Sequence, residues 1–278
     1  MTGLRFDSAG GRMSILFFDV DNTLLSHKTF TIPESTVQAL RLAQKNGHRS
    51  FLASGRAYDS LKEYLDPELF DGAVSGSGAC AFLGSEPVFT HVFDQNDVLE
   101  VYRIAQEART GLSVQTVRGS RMTQYGMDHF IKYAHAGAER AKTMNFTEFD
   151  PARDELYCKM DLFFGPGVDY RQIVPRLPKT IDQCLSVGPT CEMDECELTP
   201  RGVNKAAGAL ELAQALKFDV GDSYAFGDSE NDIEMIRACG TGIVMGNGTE
   251  GAKKAADYVT ADIEEDGVFL AMKHFGLI

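Results

Sequence analysis

Two carboxylates one residue apart, in Phe18-Asp19-Val20-Asp21-Asn22-Thr23, follow directly on the apolar run Ile15-Leu16-Phe17-Phe18. Charged groups behind such a run are costly unless they have a partner. The run reads as a buried strand, and ligands of an open α/β sheet bind beyond the carboxyl ends of its strands. A second acidic group, Gly227-Asp228-Ser229-Glu230-Asn231-Asp232, stands in the same relation to a strand-like run at 223–226. Two strand ends that present carboxylates to one crevice make a hard-oxygen site suited to Mg2+. Each group also has a plainer account: Asp19 and Asp21 as turn residues, and Ser229 to Asp232 as a capping box at a helix start.

The elements that must position these groups alternate. Residues 14–18, 49–53 and 72–75 read as strands. Thr31-Ile32-Pro33-Glu34 is a capping-box signature that opens a helix to Lys45, and a second helix is expected over 57–65. Between about 86 and 196 the texture changes to a helix at 95–110, strands at 112–118 and 121–125, a strand at 156–164, a short helix at 170–177 and a strand at 181–187. The first texture then returns, with helices at 205–216, 231–238 and 252–258 and strands at 223–226 and 242–245. Strands alternating with helices predict a parallel sheet covered on both faces. The expectation is an α/β chain with a doubly wound, Rossmann-like parallel-sheet core, residues 13–85 and 197–278, and an inserted α+β domain, residues 86–196. Residues 1–12, small, polar and Gly-rich, read as a disordered extension, with Met13 as an alternative start.

The 278 residues suit about two domains. The formal net charge of −13 disfavours phosphodiester polymers and anionic lipid surfaces. It would also repel a small phosphorylated ligand, unless a local cation or metal reverses the field. No apolar run approaches the roughly 18 residues of a membrane span, and no secretory signal is visible. A soluble, cytoplasmic protein with no nucleic-acid or membrane partner is expected, and the sequence leaves its oligomeric state open. The six cysteines contain no CxxC pair. Cys191 and Cys196 enclose Glu192, Asp194 and Glu195 without a nearby histidine, so free thiols are favoured over zinc.

At these residues the chain resembles the haloacid dehalogenase superfamily of phosphohydrolases. Asp19-x-Asp21-x-Thr23 is similar to its first motif and Leu52-Ala53-Ser54-Gly55-Arg56 to its second. Lys205, in Gly202-Val203-Asn204-Lys205, is similar to its third, and Gly227 to Asp232 to its fourth. The gap between Ser54 and Lys205 resembles the Cof-type branch, whose cap is inserted there. Met245-Gly246-Asn247, Ala256-Asp257-Tyr258-Val259-Thr260 and Glu265-Asp266-Gly267-Val268 extend the likeness to the C-terminal stretch. Two departures stand out. Asn22 occupies a position where Cof-type members usually have Gly, and Ser77, in Gly76-Ser77-Gly78-Ala79, replaces an Asn. The second change is expected to alter a polar contact near the cap hinge.

The resemblance implies a Mg2+-dependent phosphatase of small phosphorylated metabolites, such as sugar phosphates or pyridoxal phosphate. Asp19 would be the nucleophile that forms an aspartyl-phosphate, and Asp21 the acid that protonates the leaving oxygen and then activates water. Mg2+ would be held by the Asp19 carboxylate, the Asp21 carbonyl and the Asp228 carboxylate, with Asp232 orienting that shell. Ser54, Lys205 and Asn231 would meet the phosphoryl group. Outside that context Ser54 reads as a helix N-cap and Lys205 as a solvated residue at a helix start. A cap of this size closing over the site would exclude polymers.

Two other readings share these residues: a phosphomutase of the same superfamily, and a regulator that binds a phosphometabolite without turnover. A nucleophile beside a general acid counts against the regulator. Gly246-Asn247-Gly248-Thr249-Glu250-Gly251 fits the dinucleotide fingerprint G-x-G-x-x-G. Too little chain follows to complete that fold, so a tight strand–helix turn is expected there. Within the insertion, His129, Lys132 and Lys159 are candidates for substrate contact on polarity alone, with ordinary surface positions as the alternative.

Overall fold

The computed structural model describes residues 13–133, 147–153, 155–187 and 194–278. The expected disordered extension at 1–12 and Cys191 lie outside them. The chain forms two compact units. The first comprises the described residues of Met1–Gly55, Leu61–Phe89 and Asn204–Ile278, and the second comprises Arg56–Ser60 and those of Thr90–Val203.

The first unit is built on β1 (Ile15–Phe18), α1 (Glu34–Lys45), β2 (Arg49–Ala53), β3 (Gly72–Ser75), β4 (Cys80–Leu83) and β5 (Glu86–Thr90). The helix α2 (Tyr58–Leu61) follows β2 in the chain. It is shorter than the 57–65 expected, because its backbone passes into single turns such as Tyr64 N–H to Leu61 O. The expected capping box at Thr31 does not form either: the N-cap of α1 is Pro33, which makes no side-chain cap.

The second unit holds α3 (Gln95–Ala108), β6 (Gly111–Thr116), β7 (Ser120–Met122), α4 (Gln124–Tyr133), β8 (Thr147–Glu148), β9 (Tyr157–Phe163), α5 (Tyr170–Ile173), β10 (Ile181–Ser186) and β11 (Glu195–Pro200). Where a strand is expected to reach residue 125, it stops at Met122 and α4 begins. Met127 and Phe130, three residues apart on α4, pack with Met122 of β7 and Phe163. Of the three polar candidates in this unit, His129 and Lys159 are buried and Lys132 is exposed.

The chain then returns to the first unit with α6 (Lys205–Ala215), β12 (Ser223–Gly227), α7 (Ile233–Ala238), β13 (Thr241–Val244), α8 (Glu250–Ala255), β14 (Tyr258–Val259) and α9 (Gly267–His274). Tyr258, expected to end a helix, lies instead in an edge strand paired with Ile243.

The sheet of the first unit runs β14-β13-β12-β1-β2-β3-β4-β5. Its pairs from β14 to β3 are parallel, and β4 folds back antiparallel on β3. This is the doubly wound core the sequence predicts. Phe17 packs with Phe51 in the apolar layer shared with α6. Phe18 stacks on Phe226 at 4.5 Å. Adjacent residues of β1 thus bury opposite faces, as a sheet covered on both sides requires. The change of texture near 86 falls within β5 and the return near 197 within β11. Strand pairing, not composition, sets where each unit ends.

The sheet of the second unit runs β10-β11-β9-β6-β7-β8. It is antiparallel apart from β7 with β8. One face packs under α3 in an apolar cluster that includes Val98, Val101, Leu112, Met160 and Leu198. No helix among the described residues is long and apolar enough to cross a membrane.

Candidate active site

In the first unit the chain leaves β1 toward β2 on one side and re-enters the sheet through β12 on the other. The carboxyl ends of β1 and β12 therefore meet where the winding reverses, which is the ligand-binding crevice of such sheets. Parallel pairing of Phe18 with Phe226 sets the two acidic segments side by side. The Asp19 N–H closes the junction by donating to Phe226 O at 2.9 Å.

Asp19, Asp228 and Asp232 converge there, each offering a carboxylate oxygen within 4.8 Å of the others. Lys205, the first residue of α6, lies among them and is only 3% exposed. Its Nζ donates to Asp19 Oδ1 at 2.6 Å and to Asp232 Oδ1 at 2.7 Å, and reaches Asn231 Oδ1 at 3.4 Å. The solvated position that an isolated lysine suggests is thereby excluded.

Asp232 forms the capping contacts that its place in the sequence suggests and also holds Lys205. Its Oδ2 accepts from the Asp228 N–H at 3.0 Å and the Ser229 N–H at 3.1 Å, which is the capping arrangement, while Oδ1 holds Lys205. Gly227 makes this possible, since a Cβ there would lie 2.6 Å from the Asp232 Cβ. Asn231 also accepts from Ser229 Oγ at 2.8 Å.

Asp21 sits apart from this buried group. It is half-exposed, and its Oδ1 lies 3.1 Å from His27 Nε2. Ser54 is buried just beyond β2; its N–H donates to Val74 O at 2.9 Å, and its carbonyl accepts from the Ser77 N–H at 3.1 Å. Ser77 has φ 54°, in the left-handed region, where Asn is tolerated better than most residues. The replacement of Asn by Ser thus falls on the turn that holds Ser54 in place. Asn22 likewise has φ 58°, which explains a position that takes Gly or Asn.

Three residues of the site do not stand out as its members in the sequence. Thr23 Oγ1 donates to Asp228 Oδ1 at 3.3 Å. His27 meets Asp21, and Asn247 Nδ2 donates to Asn22 O at 2.8 Å. Thr23 and Asn247 lie inside segments that carry the resemblance, so a signal for them exists; His27 has none. The segment from Gly246 to Gly251 is a tight turn, with Gly248 N–H on Met245 O, and leads into the six-residue α8.

By formal count, three carboxylates stand against one ammonium in the cluster. Burial and then the nearby Asp232 push Asp228 up to about 7. The same two causes raise Asp19 well above the usual carboxylate range, against the pull of Lys205. Burial favours a neutral Lys205, but Asp19 and Asp232 overcome it and hold the ammonium charged beyond the ordinary lysine range. An all-oxygen, net-anionic, buried donor set of this kind fits a small hard divalent cation.

The family model for haloacid dehalogenase-like hydrolase matches residues 16–272. YkrA of Bacillus subtilis is 28% identical over 269 residues, covering 95% of this chain and 98% of that protein. The HMP-PP phosphatase of Yersinia enterocolitica is 27% identical, covering 93% of each chain. The solved structure of BT4131, a sugar phosphatase of haloacid dehalogenase subclass IIB, superimposes with a TM-score of 0.79 at 29% identity, over 95% of this chain and 100% of that one. The likeness read from four short motifs is thus borne out along nearly the whole chain, which belongs to the haloacid dehalogenase-like hydrolase family.

Proposed function

We propose that this phosphatase hydrolyses small phosphorylated metabolites, sugar phosphates foremost, in a Mg2+-dependent reaction through an aspartyl-phosphate. The observation that carries the reading is Lys205 Nζ bridging Asp19 and Asp232 inside a buried cluster of carboxylates. A phosphoryl group arriving beside Asp19 would meet that ammonium, which offsets the chain's net charge of −13 where it matters.

The Asp19 carboxylate attacks phosphorus in line, and the P–O bond to the leaving alcohol breaks. Asp21, half-exposed and able to exchange protons, gives the leaving oxygen its proton. In the second half it takes a proton from the water that attacks the aspartyl-phosphate, which regenerates Asp19 and releases phosphate. Ser54, Lys205 and Asn231 bind the phosphoryl oxygens. Asp19, the Asp21 carbonyl and Asp228 would hold Mg2+, with Asp232 positioning Lys205 and the turn at 228–229. Bound there, Mg2+ would keep Asp19 ionised and neutralise charge on the transferred group. Relatives that bear the names sugar phosphatase and HMP-PP phosphatase support small organic phosphates as the substrate class.

The test is phosphate release from sugar phosphates, pyridoxal phosphate and an aryl phosphate, with Mg2+, with chelator and with Asp19→Asn. Release that requires both Mg2+ and Asp19 is expected. A folded protein that transfers phosphoryl groups between sugars without releasing phosphate would be a mutase, and one that binds substrate with no turnover a regulator; either result overturns the reading.

A further inference from the structure

Six residues after Asp21, His27 turns back onto it: Nε2 lies 3.1 Å from Asp21 Oδ1. The mechanism above gives His27 no part. An ionised carboxylate only accepts hydrogen bonds, so the imidazole meets it with an Nε2–H donor. The Asp21 side chain is 37% exposed. A short side chain in such a position changes rotamer readily unless a neighbour holds it.

The turn that carries His27 is firmly built, and every part of it belongs to the first unit. From Val20 to Leu25 the backbone closes on itself. The N–H groups of Leu24 and Leu25 donate to Val20 O at 3.0 and 2.7 Å, and Asn22 N–H donates to Leu25 O at 2.9 Å. Ser26 follows, only 1% exposed. Its hydroxyl donates to Glu264 and accepts from the N–H groups of Lys28 at 3.1 Å and Thr29 at 3.2 Å. Its carbonyl accepts from Phe30 N–H at 2.8 Å, and its own N–H donates to Thr31 O at 3.1 Å. Phe30 takes up φ 56°, a conformation that a bulky residue keeps only where its surroundings impose it. Glu264 is the neighbour of Ile263, whose N–H meets Asn247, and Asn247 in turn holds the Asn22 carbonyl. Through Glu264 and Asn247, one short segment thus anchors both the residue after Asp21 and the residue before His27.

We propose that His27 is a positioning residue for Asp21: it holds Oδ1, so that Oδ2 carries the proton given to the leaving oxygen. The inference rests on the phosphatase reading above, with Asp21 as its acid and base. In the first half-reaction the Oδ2–H bond breaks, and its proton passes to the leaving oxygen as the P–O bond opens. In the second, Oδ2 takes a proton from the attacking water. The Nε2–H of His27 stays in place through both steps, because Oδ1 accepts it whether Oδ2 is protonated or not. His27 therefore exchanges no proton of its own. What it contributes is direction, which removes the ordering that a turning carboxyl would need in each turnover. With 52% of its side chain exposed, His27 packs too little surface for its removal to unfold the turn.

The test separates the aim of a proton from general damage by changing the leaving group. 4-Nitrophenyl phosphate and benzyl phosphate are similar in size, but nitrophenolate departs as a stable anion, whereas the benzyl alkoxide has to be protonated. With Mg2+ present, His27→Ala is expected to lower kcat/KM about tenfold or more for benzyl phosphate, and no more than about threefold for 4-nitrophenyl phosphate. His27→Gln, whose amide N–H reaches the place of Nε2–H, is expected to recover most of the loss on benzyl phosphate. Equal losses on the two compounds, no loss on benzyl phosphate, or a folded His27→Gln chain as slow on it as His27→Ala would each overturn the proposal. Failure of the phosphatase reading would show instead with His27 intact, as absent phosphate release from both compounds. Failure of Asp21 as the acid would show as an Asp21→Asn chain that keeps its rate on benzyl phosphate.

Discussion

Asn247 ties together two loops of the first unit: its Nδ2 donates to the Asn22 carbonyl at 2.8 Å, and its Oδ1 accepts from the Ile263 N–H at 2.9 Å. Asn22 stands one residue after Asp21, so this brace fixes the backbone that presents the proposed acid and the carbonyl proposed to hold the metal. Asn247→Leu removes both bonds and leaves the Ile263 N–H unmet. A stability loss of about 1–3 kcal/mol is expected in urea titration. Activity should fall further than that loss of folded protein explains, because the loop is no longer held.

Lys205→Met removes the single cation from among three buried carboxylates. Stranding buried charges in this way costs on the order of 3–5 kcal/mol. Denaturation without metal should show that loss, and added Mg2+ should recover part of it. Phosphate release should be abolished in both conditions.

Asp228 gives a stability signature that depends on pH. Its folded pKa of about 7 lies above the unfolded carboxylate range, so the folded state holds the extra proton between about 4 and 7. Metal-free protein therefore loses stability from this group as pH rises through that window, the reverse of an ion-paired carboxylate. Thermal melting across pH 5–8 should show a steeper fall than in Asp228→Asn, and saturating Mg2+ should remove the difference.

Asn22 tests the left-handed turn. Asn22→Gly suits φ 58° and is expected to change stability by no more than about 1 kcal/mol. Asn22→Val places a β-branched side chain in the same conformation, costing about 1–2 kcal/mol and displacing Asp21. Equal melting temperatures for the two variants would contradict this account.

Gly227→Ala pushes a methyl group onto Asp232 at 2.6 Å. The strain of overpacking is about 1–3 kcal/mol. Because Asp232 also positions Lys205, the loss in kcat should exceed the loss expected from stability alone, as steady-state kinetics on the folded variant would show.

The doubly wound sheet is legible in the alternation of strand and helix patterns, and Asp19 and Asp228 because a carboxylate set directly behind an apolar strand run is too costly to keep there without a partner or a ligand. Lys205 is legible only through its motif context, because nothing local announces that a helix-start lysine will be buried. The second unit is harder to read. Arg121 to Tyr125 looks like one strand, yet the strand ends at Met122, and α4, which begins at Gln124, packs Met127 and Phe130 with Met122 and Phe163. Glu195 to Pro200 mixes charged and apolar residues and reads as a boundary, yet it is a central strand. Lys159 is a candidate on polarity alone; its pairing with Asp161 and Glu197 depends on strand register, which composition does not reveal.

The winding of the first sheet also bears on how the chain is made. β1 leaves the ribosome about two hundred residues ahead of its neighbour β12; Thr23 and Asp228, for instance, are 205 positions apart. At roughly 5–20 residues per second, one side of β1 waits about 10–40 s for its partner. During that interval Ile15 to Phe18 present an apolar edge with open backbone groups, the form of exposure that invites pairing with the wrong strand. Nascent chains halted before β12 should therefore engage chaperones and lack every element of the carboxylate–lysine cluster except Asp19 and, once it has been synthesised, Lys205.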